Sequence, residues 1–100
     1  MICATFIFQQ HTKNEEFVAL DDEIMTRANA NPGFMRKGKW LSPDGKTIRV
    51  DYYFTNAAAL QEFRSDEVHR EAKKRYAEWY VGYSVEIAEI TFEHTDGNLA

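Results

Sequence analysis

Residues 46–54 alternate without a fault. Ile48, Val50, Tyr52 and Phe54 fall on one side, and Thr47, Arg49, Asp51 and Tyr53 on the other. A period of two belongs to an extended chain with one face buried. Just ahead stands Ser42-Pro43-Asp44-Gly45, where Pro presets φ and Gly closes a tight turn. Residues 34–41 precede that turn with a poorer alternation, rich in Lys and broken by Gly38. The pattern predicts a hairpin whose first strand lies at a sheet edge, where lysines discourage stray pairing. A chain built around such a hairpin must bury the apolar face of the second strand against another layer.

The rest of the chain supplies that layer. Residues 2–9 read as a strand with Ile2, Ala4, Phe6 and Phe8 on one face. Thr12 followed by Glu15 is a capping-box pattern. A helix is predicted from about 13 to 30, its stripe formed by Phe17, Leu20, Ile24 and Ala28 and its end marked by Asn31-Pro32-Gly33. Thr55 or Asn56 caps a short helix carrying Ala57–Leu60 and Phe63. Ser65 or Asp66 caps a second one, running to about Tyr80 with Val68, Ala72, Tyr76 and Trp79 as its stripe. After Gly82, the residues Tyr83, Val85 and Ile87 alternate, and then Ala88, Ile90 and Phe92 continue one step out of phase. That slip predicts a β-bulge or bend between 87 and 88.

The order is therefore β-α-β-β-α-β with the second helix split. It is an α+β, ferredoxin-like arrangement, with a four-stranded antiparallel sheet in the order 4-1-3-2. One domain over residues 1–94 accounts for it, with 95–100 as a frayed tail. Helices cover only one face of such a sheet. The other carries Cys3, Thr5, Ile7, Gln9, Arg49, Asp51 and Tyr53, too apolar for a wet surface and too polar for a dry core. That mixture suits pairing with a second sheet, and a homodimer is the expectation, with Arg49 and Asp51 read as an ion pair across it.

The net charge of −4 is the reverse of what a nucleic-acid binder uses. No apolar run approaches the roughly 20 residues of a membrane helix. One cysteine, Cys3, excludes a disulfide scaffold, and a reducing, cytoplasmic setting is the expectation. His11, His69 and His94 do not form a ligand-spaced cluster, so no metal site is predicted.

Several segments, in order, resemble one family. They are Glu16-Phe17…Leu20…Glu23-Ile24 with Asn31-Pro32-Gly33-Phe34, the strand Val50–Phe54 followed by Thr55-Asn56-Ala57-Ala58-Ala59-Leu60, Glu67-Val68-His69-Arg70-Glu71-Ala72-Lys73, and Trp79-Tyr80 followed by Tyr83-Ser84-Val85-Glu86-Ile87-Ala88-Glu89-Ile90. Together, over about residues 2–94, these resemble the antibiotic biosynthesis monooxygenase superfamily of dimeric α/β-barrel proteins. The resemblance implies a homodimer with sheets face to face and a cavity between each sheet and its helices. Characterised members of that family include monooxygenases that oxidise aromatic polyketides without flavin, haem or metal, which implies no cofactor here; others degrade haem, and many have no assigned reaction. In the haem-degrading branch a Trp and a ligating His stand where this chain has Phe63 and Lys73, and the first-strand Asn is replaced near Ile7 or Phe8. Those departures argue against haem breakdown.

Cofactor-free oxidation needs a base, a donor for the developing oxyanion and a dry pocket. His69 is the candidate base, at the flank of the buried stripe and at the family's His-Arg position; a cap or dimer-contact histidine is the structural alternative. Trp40, Tyr52 and Tyr76 are the candidate substrate-binding residues, able to stack on a planar molecule, the tyrosines also able to donate. A non-catalytic small-molecule binder and an isomerase or lyase remain open as rival functions.

Overall fold

The computed structural model describes residues 1–10 and 15–99. Its elements follow the expected order: β1 (Ile2–Gln10), α1 (Glu15–Ala30), β2 (Phe34–Leu41), β3 (Thr47–Phe54), α2 (Ala57–Ser65), α3 (Glu67–Lys74), a 3-10 turn (Tyr76–Glu78) and β4 (Tyr80–Glu89). The four strands form one antiparallel sheet in the order β2-β3-β1-β4. This is the ferredoxin-like arrangement, with the lysine-bearing β2 at an edge. The Thr12–Glu15 capping box and His11 lie outside the described residues.

The inner face carries the core. Phe54, Leu60, Phe63, Ala59 and Ala28 form one buried cluster, packed by Ile2, Ala4, Ile24, Met25, Phe34 and Tyr52. Phe8, Ile48 and Val50 form a second, under Phe6, Tyr52 and Tyr80. The faultless alternation of β3 thus does what its period demands, feeding both clusters from one strand.

Local chemistry sets the helix ends. The Asn56 side chain accepts a hydrogen bond from the Ala59 amide at 2.9 Å, capping α2. Asp66 accepts from the Val68 amide at 3.0 Å, capping α3. The Asn31-Pro32-Gly33 stop ties α1 to α2. Buried Asn31 donates from Nδ2 to the Ala59 carbonyl at 2.9 Å and accepts from the Gly33 amide at 2.9 Å. A side chain at position 33 would collide with the Ala59 methyl, so the close approach requires Gly.

The second half departs from expectation in two places. The helix expected to run to Tyr80 ends at Lys74; Arg75, at φ −103° and ψ 7°, leads into the 3-10 turn, and Tyr80 already begins β4. The bulge expected between Ile87 and Ala88 is absent. The β1–β4 ladder runs without a shift from Ile2 opposite Glu89 to Gln9 opposite Gly82, and it shifts only between Gln9 and Gln10, which faces Tyr80. The apparent slip arose because β4 stops at Glu89. Beyond it the Ile90 amide donates to the Met1 carbonyl at 2.9 Å, and Phe92, 81% exposed, belongs to the irregular end of the chain.

A second register shift, between Phe34 and Arg36, makes Met35 the extra residue of β2. It reverses which side chains face inward: Phe34 lies opposite Phe54 on the inner face, whereas Trp40 lies opposite Arg49 on the outer one.

Candidate functional site

The layer between the sheet and α1 is lined with rings. Phe6 and Phe8 stack at 4.8 Å between centroids. Tyr80 meets Phe6 at 5.7 Å, Phe8 at 4.6 Å and Phe17 at 6.0 Å. Phe17 also packs on Trp79 at 5.4 Å. On the other side Tyr52 meets Phe63 at 5.3 Å, and Phe63 meets Phe54 at 5.3 Å. Such a lining matches planar aromatic surface by dispersion and ring electrostatics.

Polar groups enter this layer at few points. Burial pushes the Tyr80 phenol up to about 12, and the negative charge of Asp21 adds to the effect. Tyr52 is held higher still, by burial first and then by Asp21 and Tyr80. Both phenols thus stay protonated, as hydrogen-bond donors, across the physiological range. Asp21 is partly buried, and it stands on α1 four residues after Phe17 and three before Ile24, in line with the inward stripe. An apolar residue would be ordinary there. Its negative charge acts on both desolvated phenols and adds a polar element to an otherwise aromatic layer.

His69 stands on α3, partly buried, its ring 4.7 Å from that of Phe63. Its Nδ1 lies 3.4 Å from the Arg64 carbonyl oxygen. Burial, more than the nearby Lys73 and Arg64 charges, pulls its pKa below the usual imidazole value. A neutral ring that donates from Nδ1 keeps its lone pair on Nε2. Phe63 therefore touches both His69 and Tyr52 and joins these two sequence-predicted residues.

The other two go elsewhere. Tyr76, 40% exposed, stacks edge-on against Tyr83 at 4.9 Å at the open edge beside β4. Trp40, 64% exposed, lies on the outer face against Gly38, so it does not share a cavity with Tyr52. The Met35 bulge is the reason. Sequence reasoning missed Tyr80 and Asp21; the signal available was an acid in phase with the apolar stripe of α1.

The outer face holds a buried polar knot. Thr5 Oγ1 donates to Asp51 at 2.6 Å, and Arg49 Nε donates to both oxygens of Asp51 at 3.3 Å. The ion pair expected between two copies is thus formed within one chain. Beside it the Arg36 guanidinium lies 4.0 Å over the Tyr53 ring and pairs with Glu93 at 2.9 Å. Among the described residues no group of three or more His, Cys, Asp or Glu is arranged to hold a metal ion, and no helix is long and apolar enough to cross a membrane.

No protein-family model matches the chain, and no curated protein matches it by sequence. Solved structures do match it in shape. Rv0793 from Mycobacterium tuberculosis superposes with a TM-score of 0.78 at 18% identity, covering 94% of this chain and 98% of its own. SnoaB, a cofactor-independent oxygenase from Streptomyces nogalater, gives 0.73 at 13% identity, covering 96% of each chain. A candidate antibiotic biosynthesis monooxygenase from Nitrosomonas europaea gives 0.73 at 15% identity, covering 92% of this chain and all of its own (100%). At such identities the likeness establishes architecture, and function has to be argued from the site. The chain has the fold of the antibiotic biosynthesis monooxygenase superfamily.

Proposed function

We propose that this chain is a cofactor-independent, monooxygenase-like enzyme for a small aromatic or polyketide-like molecule bound between the sheet and its helices. The observation that carries the reading is the pair of desolvated phenols, Tyr52 and Tyr80, set among the packed rings of the layer, with the negative charge of partly buried Asp21 adding to the rise in both. The fold it shares with a cofactor-independent oxygenase adds support.

The chemistry asks little of the protein. The CH₂ of an anthrone, across the central ring from the carbonyl and acidified through the flanking conjugated rings, gives its proton to a base. The resulting enolate passes an electron to O₂, and the radical pair closes to a peroxide anion at that carbon, which takes the proton back from the base. Loss of water leaves a new carbonyl, with one oxygen atom in the product and the other in water. All four electrons come from the substrate. His69 serves as the base through Nε2, being neutral near pH 7. The Tyr52 hydroxyl, held protonated, donates to the enolate oxygen. Tyr76 borders the open edge. Trp40, with Ile7 and Tyr53, falls to an outer sheet face that pairs with a second copy, burying a ring now 64% exposed.

The test is oxygen uptake with dithranol, an enolisable anthrone, measured against its rate without protein. The wild type is expected to exceed that rate, and His69→Gln and Tyr52→Phe to lose roughly a hundredfold or more of the excess. A non-catalytic binding dimer is the second reading. It is favoured by the Nδ1 contact to the Arg64 carbonyl, which a purely structural histidine also makes. Tight dithranol binding without excess uptake would select it.

A further inference from the structure

Two buried donors have no role in the chemistry above. The Gln10 side-chain Nε2 and the Trp79 indole Nε1 are closed to solvent and have no hydrogen-bond partner among the described residues. Most buried polar groups in folded proteins are paired, and an orphan carries the full cost of its lost hydration. Two such orphans call for an acceptor. Trp79, 1% exposed, is the least exposed large side chain together with Phe54. Its ring is held between Phe17 and the Arg75 guanidinium, 4.9 Å from its centroid. Gln10 ends β1 opposite Tyr80, the residue that follows Trp79. The pairing there brings both residues to one end of the aromatic layer, next to Tyr80 and its contacts with Phe6, Phe8 and Phe17.

We propose that Gln10 and Trp79 form an acceptor subsite, whose N–H groups hold a neutral carbonyl oxygen of a planar aromatic ligand lying in this layer. The proposal rests on the preceding reading that the layer takes such a ligand. An indole nitrogen only donates, so its partner must be an acceptor. The surroundings select a neutral one. Arg75, the cation nearest Trp79, is already engaged by Glu16 and by Glu78, the latter at 2.7 and 3.0 Å. Asp21 contributes a negative charge at Tyr80. Among the described residues a carboxylate or phosphate would meet no free cation here and a repelling acid, whereas a ketone or quinone oxygen meets donors that lack an acceptor.

The chain has two tryptophans, one exposed and one buried, so two indole N–H signals report separately. Trp40→Phe assigns them. The ¹⁵N-labelled protein is titrated with 1-indanone and with indane, which differ only in the carbonyl. Indanone is expected to move the Trp79 indole proton downfield, leave that of Trp40 in place, and bind about tenfold or more tighter than indane. Gln10→Met removes one orphan donor at similar volume. It is expected to weaken indanone binding severalfold while the thermal midpoint holds or rises. Equal affinity for both compounds, with no Trp79 shift, would overturn the subsite and leave the aromatic layer standing. Unchanged indanone affinity in Gln10→Met would also overturn it. Binding of neither compound would bring down both the subsite and the layer it depends on.

Discussion

Replacing Asn31 with Ala should cost more stability than any other change to a polar loop residue in this chain. The side chain is 9% exposed and joins the end of α1 to α2. Truncation removes two hydrogen bonds, each 2.9 Å long. The Ala59 carbonyl keeps its place in the helical ladder, so losing the Asn31 donor costs about 1 kcal/mol. The Gly33 amide keeps no acceptor in a partly buried site, which adds about 1–3 kcal/mol. The total is about 2–4 kcal/mol. For a domain of this size that corresponds to a fall in Tm of roughly 10–25 °C. Equilibrium urea unfolding and calorimetry both read it. Asn31→Asp separates the two bonds, because it keeps an acceptor for Gly33 but turns a carboxylate toward the Ala59 carbonyl. It should also destabilise, and less so below the carboxylate pKa. A loss under about 1 kcal/mol for Asn31→Ala would refute the reasoning and show that the α1–α2 junction is held by packing alone.

Three other expectations follow from the same geometry. The His69 pKa is depressed on folding, so the unfolded chain takes up its proton first; stability is complete above the ordinary imidazole value of 6.5 and declines as pH falls below it. His69→Phe, which keeps a ring against Phe63, should flatten that decline in pH-dependent urea midpoints. The Tyr80 pKa is raised to about 12, so its contribution is complete below 10, the unfolded value, and is lost as pH rises from there toward 12. Tyr80→Phe should remove that part of the alkaline loss, and Asp21→Asn should move the phenol's absorbance step to lower pH. On the outer face, proposed to pair with a second copy, Ile7→Lys should shift sedimentation from dimer toward monomer, since the central strand would then place a charge in that surface; an unchanged sedimentation coefficient would count against the pairing.

Much of the architecture was legible because period and capping agree. The alternation of β3, the Ser42–Gly45 turn, and the Asn56 and Asp66 caps all say locally what the sheet and helices then do. What was not legible turns on single extra residues. Nothing in the row Phe34–Leu41 marks Met35 as a bulge, yet that residue sends Trp40 to the opposite face from Tyr52. Likewise the stripe Val68, Ala72, Tyr76 and Trp79 fits an uninterrupted helix, and only the break at Arg75 sends Trp79 into the core while Tyr76 stays at the edge. For the site, the search for a base favoured His69, because its pKa falls near neutrality without help. Asp21 stands beside Asp22 and Glu23, and in sequence these three read as a charged stretch. The phase of Asp21 with Phe17 and Ile24, not its residue type, distinguishes it.

A crystal structure of the protein with 1-naphthol is the most direct test of the inner layer as the ligand site. The naphthol should lie between α1 and the sheet, with its hydroxyl within hydrogen-bond reach of Tyr52 or Tyr80 and its rings against Phe6 and Phe8. Naphthol bound instead on the outer face against Trp40, with the inner rings unmoved, would contradict the assignment of that layer.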